Sequence, residues 1–178
     1  MALKATIFKA HLQIADMDRD YYGAHQLTLA RHPSETDERM MVRLLAFALN
    51  ASERLEFTRG LSSDEEADLW QWSLGGELEI WIEVGLPSED RIRKACARAE
   101  RVLLYSYGRR TAPVWWQKLD GALARFANLS VYRLPADACE ALAALADRNM
   151  ELQATIQDGH IWLSSDDRSV EVAPELLK

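Results

Sequence analysis

The chain has 178 residues, of which 48% are hydrophobic and 28% charged, a balance typical of globular proteins that excludes a disordered chain. This length predicts one domain over residues 1–178, and no apolar run approaches the roughly 18 residues that a membrane span needs. The 21 basic and 28 acidic residues give a net charge of −7, which disfavours general binding of nucleic acid by phosphate neutralisation.

Hydrophobic periodicity predicts strands and helices that alternate along the chain. Strands are predicted at residues 5–15, 22–30, 55–58, 67–74, 77–84, 102–107, 129–134, 152–157, 160–163 and 170–172. Helices are predicted at residues 36–50, 89–101, 114–126 and 137–147. Ser34 with Asp37 forms a capping-box-like pair before the first helix, and Asp158-Gly159 is typical of a hairpin with a primed turn. This order predicts a mixed α/β or α+β fold.

The Gly75-Gly76 turn predicts which residues of its two strands face each other. If both glycines form a two-residue turn, the flanking residues pair symmetrically about it. The pairs predicted on one face are Asp68 with Glu83, Trp70 with Trp81, and Trp72 with Glu79. Opposed residues have Cβ atoms about 4.5–5.5 Å apart, and like charges at that distance destabilise a sheet unless something neutralises them. The acid pair is therefore either a hydrated strand end or a place where a cation sits.

The first predicted helix contributes a third acid, Glu38. The apolar residues at helical spacing from it are Met41, Leu45 and Leu49. Glu38 thus shares their face, whereas Arg39 and Arg43 are predicted to point towards solvent. A carboxylate on an apolar face needs a partner, although a negative charge in the first turn also suits the helix dipole.

The second predicted helix separates apolar from basic residues. Its basic stripe consists of Arg91, Lys94, Arg98 and Arg101. Such a stripe is either a solvated face or a surface that contacts phosphates. Arg91 flanks the apolar stripe, so we expect it to lean over the strand that carries Glu83, with Lys94 farther round the helix.

Five segments spread over the chain resemble signatures of the YaeQ family. They are Arg31-His32-Pro33-Ser34-Glu35-Thr36, Phe57-Thr58-Arg59-Gly60-Leu61, Trp81-Ile82-Glu83-Val84-Gly85-Leu86-Pro87, Phe126-Ala127-Asn128-Leu129-Ser130 and Leu152-Gln153-Ala154-Thr155-Ile156-Gln157-Asp158-Gly159. The resemblance implies a variant of the PD-(D/E)xK nuclease-like fold. The nuclease-like core is then residues 34–134, with an N-terminal hairpin at 1–31 and a helix and C-terminal hairpin at 135–178.

The same resemblance implies the residues of a metal site. Asp68 and Glu83 take the positions of the two acids that hold Mg²⁺, and Glu38 takes that of a further helical acid. The lysine that nucleases of this fold carry two residues after the second acid is replaced here by Gly85. Other members move the basic group to the following helix, which nominates Arg91 or Lys94.

These residues predict an Mg²⁺- or Mn²⁺-dependent phosphodiesterase or nuclease acting on nucleic acid. Hard oxygen ligands favour these ions over zinc. Gln117 is a possible accessory residue. The alternative is a catalytically inactive protein of the same fold that binds nucleic acid or a protein partner, an interpretation favoured by Gly85 and the net charge of −7. Two cysteines and an N-terminus without a signal-peptide pattern predict a cytoplasmic protein with no membrane partner.

Overall fold

The order of strands and helices follows the sequence pattern closely. The computed structural model describes residues 4–59 and 65–178. Its strands are β1 (Thr6–Asp16), β2 (Tyr21–Arg31), β3 (Leu55–Phe57), β4 (Leu69–Trp72), β5 (Leu78–Val84), β6 (Arg101–Ser106), β7 (Leu129–Arg133), β8 (Asn149–Gln157), β9 (His160–Ser164), β10 (Ser169–Val172) and β11 (Glu175–Leu176). Its helices are α1 (Asp37–Asn50), α2 (Glu89–Arg98), α3 (Thr111–Leu123) and α4 (Ala136–Ala143). The predicted mixed α/β fold is confirmed, and among the strands and helices of the described residues only the two-residue β11 was not predicted.

The first of two compact units comprises residues 1–50 and 137–174. Its sheet has the strand order β10-β9-β8-β1-β2, in which β1 pairs antiparallel with β2 and parallel with β8. Asp158 and Gly159 both have positive φ, 53° and 76°, as the predicted primed turn requires. The Asp18 carboxylate accepts the amides of both residues at 2.8 and 2.9 Å, which holds the turn in place.

Helix α1 differs from the prediction at its start and on one of its faces. The side chain that caps it is Thr36, whose Oγ1 accepts the Arg39 amide at 3.1 Å, and not Ser34. Arg43 was predicted to face solvent but is 1% exposed. It is buried because the Glu35 carboxylate accepts its Nε and Nη2 at 2.9 and 2.6 Å, a partner that helix periodicity alone does not show.

The second unit comprises residues 51–136 and 175–178, and its sheet has the strand order β11-β7-β6-β5-β4-β3. Strands β3, β4 and β5 form an antiparallel meander, and β6 and β7 continue the sheet in parallel after the crossover helices α2 and α3. A meander, a helix and a parallel strand are the order that the family resemblance implied. Helix α1 belongs to the first unit, although the predicted core of residues 34–134 included it, and the assignment to a single domain stays a prediction. None of the described helices is long and apolar enough to cross a membrane.

Candidate metal and phosphate site

The β4–β5 hairpin has the predicted register over most of its length because a longer loop and a bulge offset each other. The Gly76 amide donates to the Ser73 carbonyl at 3.1 Å, and Gly76 has a φ of 87°, so the loop has three residues and not two. Glu79 is then an extra residue in β5, a bulge that restores the register lost at the loop. Trp70 therefore faces Trp81 as predicted.

Trp72 does not face Glu79, and the predicted pairing there is wrong. It pairs with Leu78, on the loop side of the bulge. The Glu79 carboxylate instead accepts the Gln71 amide nitrogen at 2.7 Å and Arg54 Nη1 at 3.0 Å. A bulge next to a turn is invisible to a pairing rule that assumes one residue opposite each residue.

Asp68 lies immediately before β4 and is 4% exposed. The paired residues of the hairpin begin with Leu69 and Ile82, so Asp68 is not in a strict cross-strand pair with Glu83. Its amide donates to the Ile82 carbonyl at 3.0 Å, and its Oδ2 accepts the Val84 amide at 2.8 Å. The Asp68 carboxylate is thus fixed beside β5 at the residue that follows Glu83.

Glu83 is 3% exposed and has two donors on one carboxylate oxygen. Its Oε1 accepts the Trp81 indole nitrogen at 2.8 Å and Arg91 Nε at 3.0 Å, and Arg91 Nη2 lies 2.8 Å away. Burial and the negative charge of Asp68 raise the pKa of Glu83 to about 7, and they outweigh the opposing effects of Arg91 and Trp81. Burial and Asp68 therefore disfavour an ionised Glu83 even with the Arg91 guanidinium in contact.

Arg91 is positioned by the first turn of α2. Ser88 caps this helix, with its hydroxyl oxygen accepting the Arg91 amide at 3.2 Å. The guanidinium also donates through Nη2 to the Glu66 carbonyl at 2.8 Å and lies 5.9 Å from the centre of a Trp81 ring. Arg91 therefore crosses from the helix to the Glu83 strand, as the predicted stripe indicated.

The backbone at Gly85 explains why this position carries no lysine. Gly85 has a φ of 108°, and its amide donates to the Tyr105 carbonyl at 2.9 Å. Residues with a Cβ rarely adopt such a φ, so a lysine here would strain the backbone even though a Cβ would meet no atom within 4 Å. The basic group beside Glu83 comes from α2 instead.

A cleft of about 650 Å³ extends from Arg91 along α2. Its lining residues are Glu65, Trp81, Arg91, Arg93, Lys94, Ala97 and Arg98. Lys94 Nζ lies 2.9 Å from the Asp90 carboxylate, and Arg98 lies 5.1 Å from the centre of a Trp81 ring. Arg98 Nη1 also donates to the Glu65 carbonyl at 2.5 Å. The cleft that Arg91 lines thus has four cationic side chains, all from α2.

Two other predicted site residues have no part in the contacts described above. Glu38 belongs to the first unit, where burial and the charge of Glu140 raise its pKa. Gln117 is exposed on α3, and within the described residues no hydrogen bond joins it to Asp68, Glu83 or Arg91. The structure brings together Asp68, Glu83 and Arg91 and leaves the roles of Glu38 and Gln117 as predictions.

The hydrogen bond from the Trp81 indole to Glu83 was not predicted from the sequence. The two residues are two apart on β5, so their side chains share a face, and that spacing was the available signal. Within residues 4–59 and 65–178 no group of three or more His, Cys, Asp or Glu side chains forms a metal site. Mg²⁺ does not require one, because it is commonly held by one or two carboxylates together with waters and substrate phosphates.

Comparison with known proteins assigns the chain to a family. A family model described as "YaeQ protein" matches residues 1–174. The chain belongs to the YaeQ family. YaeQ proteins of Escherichia coli (strain K12) and Salmonella typhi are 53% and 52% identical to it over 172 residues, 97% of this chain and 95% of each relative.

Solved YaeQ structures have the same fold as this chain. The crystal structure of YaeQ from Xanthomonas axonopodis pv. citri matches with a TM-score of 0.95 and 50% identity, covering 98% of both chains. YaeQ from Pseudomonas syringae matches with a TM-score of 0.93 and 38% identity, covering 98% of this chain and 96% of that one. The YaeQ resemblance predicted from five sequence segments is confirmed.

Proposed function

We propose that this chain is a divalent-cation-dependent phosphodiesterase of the nuclease type that acts on nucleic acid. The observation that carries the proposal is the arrangement around Glu83, a buried acid beside Asp68 with Arg91 at 2.8 Å. Arg91, which contacts Glu83, also lines a cleft that has four cationic side chains. Carboxylates for a cation and cations for a phosphate, side by side, are what metal-assisted phosphodiester hydrolysis needs.

Asp68 and Glu83 are the residues that would hold the cation. Their oxygens are the hard ligands that Mg²⁺ and Mn²⁺ prefer. The structure supports the fit because Asp68 and Glu83 are both buried and lie close enough for the charge of Asp68 to raise the pKa of Glu83, a repulsion that a cation would relieve. When bound, the ion would polarise a phosphoryl oxygen of the substrate and activate a water molecule.

The residues of α2 would bind and orient the phosphodiester. Arg91 is protonated at every working pH, so it serves as a phosphate clamp and not as a base. Lys94 is 60% exposed and is paired only at the surface, with Asp90, an ion pair of a kind that contributes little to stability. Exchanging Asp90 for a phosphate therefore has a small energetic cost, which makes Lys94 the second phosphate-binding residue.

Calorimetry with Mg²⁺ and with Mn²⁺ tests the site without depending on an unknown substrate. The wild type should bind, and Glu83→Gln should lose roughly 100-fold or more in affinity because one of two carboxylate ligands is removed. Glu79→Gln is the matched control on the same strand, since Glu79 bonds to Gln71 and Arg54 and should be dispensable. No binding by the wild type at millimolar concentration, or equal losses in both variants, would reject the metal-dependent function.

The alternative function is binding of nucleic acid without cleavage. Gly85 favours it, because its φ of 108° disfavours the lysine that nucleases of this fold carry at this position. Binding of nucleic acid by a chain that binds neither ion would establish this alternative.

A further inference from the structure

We infer that the substrate strand is single-stranded nucleic acid, with one base stacked on Trp72 and the backbone along α2. The inference rests on the proposed function and names the substrate class of the same site. Three observations on the second unit carry it: a half-buried tryptophan beside the cleft, an arginine shared by two cavities, and a change of charge between those cavities.

Trp72 is presented by a rigid row of aromatic rings. Trp70 meets Trp72 edge to face, with ring centroids 5.5 Å apart, and meets Trp81 in the same way at 6.2 Å. Trp81 also lines the cleft along α2, but it is only 1% exposed and offers little surface to a base. Trp72 is half-buried and lines an open cavity of about 440 Å³. Trp70 is half-buried as well, with its indole nitrogen donating to Glu56 at 3.1 Å, and Trp72 is the half-buried ring of the row that lines this cavity.

Arg98 joins this cavity to the basic cleft. It lines both of them, with the cleft of about 650 Å³ on its Arg91 side and the Trp72 cavity on the other. In nucleic acid a phosphate lies next to each base. Arg98, between the phosphate-binding cleft and the Trp72 ring, is therefore placed to contact the phosphate next to a base stacked on Trp72. Proteins usually bind single-stranded nucleic acid with cationic side chains that contact its phosphates and aromatic side chains on which its bases stack.

The charges differ between the two cavities. The cleft is lined by Arg91, Arg93, Lys94 and Arg98, whereas the Trp72 cavity has Glu77 and Glu100 on its wall. Carboxylates repel a phosphate but accept hydrogen bonds from the amino groups of bases. The Trp72 cavity therefore suits a base and not a second phosphate. A base in a closed duplex is stacked on both faces, so only an unpaired strand can use Trp72.

Fluorescence anisotropy with labelled oligonucleotides in EDTA tests the inference. The probes are a single-stranded DNA, an RNA strand of the same sequence, the DNA duplex, and an abasic strand of equal length. We expect the single strands to bind about tenfold more tightly than the duplex and the abasic strand, because stacking on one ring is the difference. Trp72→Ala should weaken single-strand binding by about tenfold and leave binding of the abasic strand unchanged.

Two further variants separate stacking from folding. Trp72→Phe keeps an aromatic surface and should retain most of the affinity. Trp162→Ala removes a half-buried tryptophan of β9 that stacks on His160 and should have no effect. Equal binding of single strand and duplex, or equal losses in Trp72→Ala and Trp162→Ala, would overturn the inference. Since EDTA removes the divalent ions, such a failure leaves the calorimetric test of the cation site independent.

Discussion

At the scale of single residues, Glu83 is governed by opposing effects on its charge. Desolvation and the charge of Asp68 disfavour the ionised form of Glu83, whereas Arg91 and Trp81 favour it. The effects of desolvation and Asp68 are the stronger ones. The pKa of Glu83 is consequently raised from 4.5 to about 7. Ionised Glu83 thus destabilises the folded chain. A bound cation would offset this charge, and the relief would contribute to its affinity.

The raised pKa predicts a pH dependence that Glu83→Gln removes. Between pH 4.5 and about 7 the folded chain keeps the Glu83 proton and the unfolded chain releases it, so the stability falls as the pH rises. Between pH 5 and pH 8 the free energy of unfolding of the wild type should fall by roughly 2–3 kcal/mol relative to that of Glu83→Gln. Urea unfolding in EDTA at both pH values measures this loss, and parallel pH curves for the two proteins would contradict it.

At the scale of elements, the β4–β5 hairpin combines two irregularities that cancel in register. The three-residue loop shifts the pairing by one residue, and the bulge at Glu79 shifts it back. Trp70 and Trp81 thereby stay opposed, and Glu83 stays on the face where Arg91 reaches it. The loop also brings Leu74 to the hairpin tip, where it is 97% exposed.

The two glycines of this loop should respond differently to substitution. Gly76 has a φ of 87°, and an added Cβ would meet nothing within 4 Å, so Gly76→Ala is strained by its backbone alone. We expect it to cost about 1 kcal/mol in the free energy of unfolding. Gly75 lacks a positive φ, and its Cβ would meet only the Ser73 hydroxyl at 3.7 Å, so Gly75→Ala should lie within about 0.5 kcal/mol of the wild type. Equal costs in chemical denaturation would argue for a two-residue loop.

At the scale of the whole molecule, charge is distributed unevenly. The net charge of −7 opposes general attraction of nucleic acid, yet four of the cations line one cleft beside α2. Binding at such a cleft depends on few ion contacts and not on the mean charge. The expectation from composition and the proposal from the site are therefore compatible.

This distribution predicts a shallow salt dependence of single-strand binding. With about three phosphate contacts, the logarithm of affinity should fall against the logarithm of salt concentration with a slope of about −2. Lys94→Ala should make the slope shallower by about 0.7. Lys118→Ala, which removes an exposed lysine of α3, should leave the slope unchanged. Anisotropy titrations from low to moderate salt give both slopes, and a change in the Lys118 variant would indicate diffuse binding.

The sequence by itself determined the order of elements, the family and the chemically relevant side chains. Period-two and helical patterns depend on neighbouring residues only, so they predicted the meander, the basic side of α2 and the approach of Arg91 to Glu83. The pairing predicted about the Gly75-Gly76 turn and the nuclease-like fold implied by the YaeQ resemblance both indicated Asp68 and Glu83 as the acid positions.

Only the tertiary structure decided which charges are buried and what they meet. Arg43 was predicted on a solvent face, and its partner Glu35 lies before the helix begins, outside the helical pattern. The Glu83 pKa depends on desolvation by burial and on Asp68, whose position follows from a compensated loop and bulge. Desolvation and ion pairing depend on three-dimensional distance, which local periodicity does not contain.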